Sequence, residues 1–251
     1  MKKILLAAST ATLIAFSGMP TVLAQENQPT ARPLEMWACS FNDGMDQGDM
    51  NDVYEEIDED NGDTRYGAWQ LNPHMIGNFP NEFDFIYVGS WQNGNVMGED
   101  VANMYEGAYK SNESWNETVT CPGLLFNSWT INPVAIEEDG HYFVTLSDCT
   151  TAHGVSNGQA MNAIRRYSDY LVGNGQTEGR SIWFPRHGGG DADFDFKLVT
   201  VYSGPQAWGD ALQWEVDNRA FQQRRNFMNG LVSCDESRVY STRTIMDNLA
   251  R

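Results

Sequence analysis

Apolar side chains recur along this chain either at every second residue or every three to four, and the two periods alternate in a fixed order. LEMWACS (residues 34–40) alternates apolar and polar positions, the pattern of a strand with one buried face. A helix follows over about 47–60 and stops at Asn61-Gly62, a pair suited to the left-handed conformation beyond a helix end. YGAWQLN (66–72) and FDFIYVGSW (83–91) read as strands. Met97, Val101, Met104, Tyr105 and Ala108 fall on one face of a second helix, and LLFNSWTI (124–131) closes the series as a strand. The order then begins again: HYFVTLSD (141–148), a helix over 157–171, RSIWFP (180–185), FDFKLVTVY (194–202), a helix over about 206–229 and RVYSTRTI (238–245).

Residues repeat along with the elements. CSFNDGMDQGDMND (39–52) is answered by CTTAHGVSNGQAMNA (149–163), NGDT (61–64) by NGQT (174–177), and FDF (83–85) by FDF (194–196). MGED (97–100) is answered by WGDA (208–211) and Cys121 by Cys234, and the offset stays at 110–113 throughout. This is an internal duplication. The division it implies is an N-terminal extension (25–33), a first repeat (34–131), a linker (132–140), a second repeat (141–246) and a short tail (247–251). Strand-helix-strand-strand-helix-strand, twice over, is the ferredoxin-like split βαβ order and predicts an α+β fold.

The N-terminus changes where this fold is expected to work. Lys2 and Lys3, an apolar run from Ile4 to about Met19, and small residues up to Ala24 predict a secretory signal peptide cleaved after Ala24. The mature chain would have 251 − 24 = 227 residues and no later stretch apolar enough to span a membrane. We expect a soluble exported protein, periplasmic or secreted. Loss of the two lysines shifts the formal charge from −18 to 14 − 34 = −20, which excludes nucleic acid and anionic membrane surfaces as partners. Four cysteines remain, none in a CxxC pair, so an exported chain is expected to contain two disulfides. Three pairings are open.

Several motifs suggest chemistry. GVSNG (154–158) matches a nucleophile elbow, but its twin GMDQG (44–48) puts Asp46 where Ser156 stands. Serine and aspartate share the ability to cap a helix N-terminus, and Gln159 completes capping-box spacing, so a serine hydrolase ranks last. His74 and His187 share the repeat offset, each just after the second strand of its unit. A neutral imidazole there could act as a base or ligate a metal or haem, which makes this pair the candidate catalytic residues. The plainer reading is a turn histidine bonded to backbone. His153 matches Asp43 in the other copy, and His141 has no counterpart. GGGDADFD (188–195) partly matches a calcium-binding nonapeptide but occurs once, and no metal site is assigned. Strand alternation places Asp193 and Asp195 outward and Phe194 and Phe196 inward. Trp37, Trp69, Trp91, Trp129 and Trp183 all fall on predicted strands and are candidate walls of a cavity for an aromatic ligand or sugar. Asn112 and Asn116 lie in glycosylation sequons, used only in a host that glycosylates.

With two such units in one chain, residues 34–245 resemble the dimeric α+β-barrel superfamily, in which two four-stranded sheets pack face to face. Its members include antibiotic-biosynthesis-type monooxygenases, haem-degrading enzymes, NIPSNAP-like proteins and chlorite dismutase-like haem proteins. The resemblance implies an intramolecular barrel. It also implies disulfides Cys39–Cys121 and Cys149–Cys234, since the first and fourth strands of each unit are then antiparallel neighbours. The expected function is small-molecule binding in an aromatic-lined barrel cavity. The alternative is an oxidoreductase, monooxygenase-like or haem-associated, using His74 and His187. Haem or iron enters only with that alternative, and the sequence itself demands no cofactor.

Overall fold

The computed structural model describes residues 31–62, 64–77, 83–134, 141–190 and 192–249. The signal sequence, part of the N-terminal extension, most of the linker and Asp191 of the GGGDADFD stretch lie outside these. The first unit comprises β1 (Ala31–Phe41), α1 (Gln47–Asn61), β2 (Tyr66–Met75), β3 (Phe85–Trp91), α2 (Gly94–Tyr105), α3 (Ser111–Thr118), β4 (Val119–Thr120) and β5 (Gly123–Asn132). The second comprises β6 (Phe143–Thr151), α4 (Asn157–Gly173), β7 (Gly179–His187), β8 (Phe196–Tyr202), α5 (Pro205–Asp217), α6 (Ala220–Met228), β9 (Val232–Cys234) and β10 (Arg238–Asp247).

All strand pairs are antiparallel, and eight strands close a ring: β1–β3–β2–β10–β6–β8–β7–β5 and back to β1. Two of these contacts join the units. β5 of the first pairs with β7 of the second (Ser128 opposite Trp183), and β2 pairs with β10 (Leu71 opposite Thr242). The expected α+β fold of two tandem ferredoxin-like units, packed as an intramolecular barrel, is therefore the observed one.

Side chains alternate across the barrel wall, so the molecule has three cores. Leu34, Met36, Ile86, Val88, Phe126, Val144, Leu146, Trp183 and Val199 point inward and pack on one another. Outside, α1 covers one sheet through Met50, Val53, Tyr54 and Ile57, against Phe85, Tyr87 and Trp91. α4 covers the other through Ala160, Ile164, Tyr167 and Leu171, against Ile182 and Phe196.

Both disulfides have the expected pairing, Cys39–Cys121 and Cys149–Cys234. The repeated FDF motif proves to be a fastening beside them. Asp84 accepts the Phe41 N–H at 2.8 Å, and Asp195 accepts the Thr151 N–H at 2.6 Å, each carboxylate pinning the end of the neighbouring first strand. Hydrogen bonds from Thr151 hold the Asp195 carboxyl below the ordinary carboxylate range.

The helices depart from expectation in two places. α2 packs on the sheet only through its first two turns, by Val96, Met97 and the buried Asp100, whereas Met104 and Tyr105 are exposed at 39% and 87%. The amphipathic face expected from Met97 to Ala108 does not exist, because the chain leaves the sheet and turns at Gly107 (φ 74°) into a separate helix, α3. The single helix expected over 206–229 is two, broken at Arg219, whose φ of 51° no α-helix allows.

Candidate functional site

The barrel interior is filled at one end and hollow at the other. At the filled end Phe126 stacks with Phe194 and meets Trp183 at ring separations of 6.5 and 6.1 Å. An ion network completes this plug. Lys197 Nζ lies 2.5 Å from Asp148 and 4.2 Å from the centre of the Phe194 ring, and Arg238 bridges Asp148 at 3.0 Å to Asp235 at 3.1 Å. Burial pulls the Lys197 ammonium down from its ordinary range, and Asp148 opposes this. The register-equivalent pair in the first unit is Ile86 opposite Ala38, so only the second unit carries charge there.

The open end lies where β1, β2, β6 and β7 begin. A cavity of about 820 Å³ occupies it, well within the range of small-molecule sites. Its walls are apolar, from Leu34, Leu71, Val88, Val144, Val199 and Val201, with Trp69 and Trp183 on β2 and β7. Those two strands stand four apart whichever way the ring is followed, so the indoles come from opposite walls. The two units line it differently. Val88 faces Trp69 on β2, whereas its counterpart Val199 faces the much smaller Ser181 on β7. Ser181 accepts the Trp183 indole N–H at 3.0 Å. Ser90, Ser128, Thr130 and Thr242 add hydroxyls, and Arg32 and Arg165 stand half-buried around the opening.

Among the five candidate tryptophans, the cavity is lined by Trp69 and Trp183. Trp37 and Trp91 point outward into the core beneath the first unit's helices, where the Trp91 N–H donates to Asp100 at 2.6 Å. Trp129 sits between Ser128 and Thr130, which face the cavity, and is therefore directed away from it. These three cannot touch a ligand in the barrel, because strand alternation sends neighbouring side chains to opposite faces.

The candidate histidines are not brought together. β2 and β7 run on through His74 and His187 rather than ending before them, so both lie exposed at the filled end of the barrel, on opposite walls. His74 rests edge-on against Phe143 and Trp208 at 5.1 and 6.1 Å. His141 and His153 are exposed. Among the described residues no cluster of three His, Cys, Asp or Glu side chains could hold a metal. Ser156 caps α4: its Oγ accepts the Gln159 N–H at 3.3 Å, with the Gln159 side chain returning the bond. Asp46 caps α1 in the same way.

A second cavity, of about 760 Å³, lies outside the barrel between the second sheet and α5–α6, lined by Tyr167, Arg180, Tyr202, Glu215, Arg224 and Met228 among others. Arg180 is buried there in an ion pair with Glu178 at 2.6 Å. Haem would need an iron ligand in one of the two cavities. Neither is lined by a histidine among the described residues, and all four cysteines are disulfide-bonded. The tyrosines of the second cavity are poor substitutes, since burial pushes the Tyr202 phenol up to about 12 and Tyr167 higher still, keeping both protonated. The residues present do not fit a histidine- or thiolate-ligated haem.

Solved structures share this architecture. A candidate monooxygenase of Fusobacterium nucleatum superposes with a TM-score of 0.57 at 8% identity, covering 86% of this chain and 93% of its own. A haem-binding protein of Thermus thermophilus gives 0.50 at 8% identity over 88% and 94%. A variant of the chlorite dismutase of Candidatus Nitrospira defluvii gives 0.50 at 10% identity over 87% and 94%. No family model matches the chain, and no curated protein sequence does. At these identities the shared property is the fold, two tandem ferredoxin-like units closed into one α+β barrel.

Proposed function

We propose that this is an exported protein that takes a small organic molecule into the open end of its barrel. The observation that carries the reading is the cavity of about 820 Å³ between two tryptophans on opposite walls. An apolar hollow of this size with a few hydroxyls is the usual form of a ligand site. Binding should quench or shift the fluorescence of Trp69 and Trp183 and raise the melting temperature, as any ligand of the native state does. Screening flat organic molecules against the mature protein tests this. Val88→Trp, which fills the cavity from β3, should remain folded and lose the response. An unchanged response in that variant would place the ligand elsewhere. Export is tested by sequencing the N-terminus of the exported protein, which should begin at Gln25.

The second reading is an oxidoreductase, and the comparisons lean toward it, since a candidate monooxygenase, a haem-binding protein and a chlorite dismutase share the fold. Its nearest residue is His74, which packs behind Trp208 at the wall of the outer cavity. Reconstitution with haem separates the two readings. A Soret band lost in His74→Ala or His187→Ala would favour the oxidoreductase; ligand binding by colourless protein supports the barrel site.

A further inference from the structure

The chain has 34 acidic residues against 16 basic ones, yet among the described residues no aspartate or glutamate lines the barrel cavity, whereas Arg32, Arg165 and Arg180 do. Arg180 is neutralised by Glu178 on the outer side of the wall. Arg32 and Arg165 have no acidic partner within ion-pair distance among the described residues. Their placement is built into the fold. Arg32 on β1 lies in register with Ser128 on β5, which lies in register with Trp183 on β7, a row leading from the opening to the indole. Arg165 reaches the opening from α4, a helix tied to the end of β5 by the Ser168–Asn132 hydrogen bond. A half-buried guanidinium beside apolar walls carries a desolvation cost, and no carboxylate among the described lining residues offsets it. A planar anion would offset it, since guanidinium pairs with carboxylate in matching geometry.

We infer that the ligand of the barrel cavity is an organic carboxylate with a flat apolar body, its anion held by Arg32 and Arg165 at the opening and its body between Trp69 and Trp183. This rests on the barrel cavity being the ligand site. The chain's net negative charge does not oppose it, because distant surface acids are screened over about 8 Å in physiological salt while the two arginines would touch the anion.

Calorimetric titration with 2-naphthoate and its neutral isostere 2-naphthamide tests the charge and the site separately. Naphthoate should bind the mature protein about tenfold more tightly than the amide, the scale of one charge-assisted hydrogen bond. Added sodium chloride should weaken naphthoate and leave the amide unchanged. Arg32→Gln combined with Arg165→Gln should bring naphthoate down to the amide's affinity without altering the amide. Equal binding of the two probes, or a naphthoate preference that persists in salt or in the double variant, overturns the inference while leaving the cavity reading intact. If neither probe binds and Trp69 and Trp183 fluorescence stays unchanged, the cavity reading falls and the inference with it. The salt dependence uses the unaltered protein, so the test does not depend on the variants folding.

Discussion

Tyr66 donates its phenol to Glu35 at 2.5 Å and shares a second hydrogen bond with Tyr87 at 2.7 Å, beneath the helices of the first unit. Gly89 is what lets these groups meet, since a Cβ there would stand 1.9 Å from the Tyr66 oxygen and 2.5 Å from the Glu35 carboxylate. Gly89→Ala should therefore cost about 2 kcal/mol or more in urea unfolding, the range for overpacking a filled core. Burial raises the Glu35 carboxyl above its ordinary 4.5, so the folded chain keeps a proton that the unfolded chain releases. The resulting stability is present below that value and is lost as pH rises through the raised one. Relative to Glu35→Gln, the natural protein should lose stability as pH rises from the ordinary 4.5 into the raised range. Parallel stability profiles of the two proteins would show that Glu35 does not titrate in this window. The only trace of this cluster in the sequence is a glutamate inside an apolar strand. Its tyrosine partners come from β2 and β3 and are read as ordinary core.

Strands and the caps of α1 and α4 were legible because local rules decide them: alternation sets a strand's faces, and a side-chain oxygen satisfies a helix's first N–H groups. The second helical region of each unit was not legible, because its apolar residues do not all face the sheet. Arg219 marks the break between α5 and α6 with a left-handed backbone, which costs a non-glycine residue about 1–2 kcal/mol. Arg219→Gly removes that strain but adds unfolded-state entropy of about 0.5–1 kcal/mol, so a net gain of roughly 0.5 kcal/mol is expected. A lower melting temperature for Arg219→Gly would show that the arginine side chain holds the corner. Each disulfide closes a loop of more than 80 residues, with separations of 82 and 85. Replacing Cys149 and Cys234 by serine should cost about 4 kcal/mol under the chain-entropy account, read from denaturant midpoints.

For the whole molecule, the β5–β7 and β2–β10 seams remove every open edge from the eight-stranded ring. Cut at the linker, each unit would expose two long strand edges and the apolar inner face of its sheet. Residues 31–134 expressed alone should self-associate or fail to fold, and co-expression with the second unit should restore a compact species on size exclusion. A stable monomeric half would mean the seams are dispensable. The cavity is also a property of this scale. It is lined by residues of both sheets set face to face, and no segment of either contains it.

The duplication, the barrel strands, the α+β class and the capping of α1 and α4 can be read from the chain alone, because each is written in short-range periodicity and in residues 110–113 apart. Which tryptophans share a space, that His74 and His187 stand on opposite walls at the filled end, and that Arg32 and Arg165 both line the open one follow from tertiary structure alone. Those facts depend on strand direction and barrel closure. A strand's pattern tells which side chains share a face, whereas the end of the barrel they reach and the partners they meet are set by strands far away in the chain.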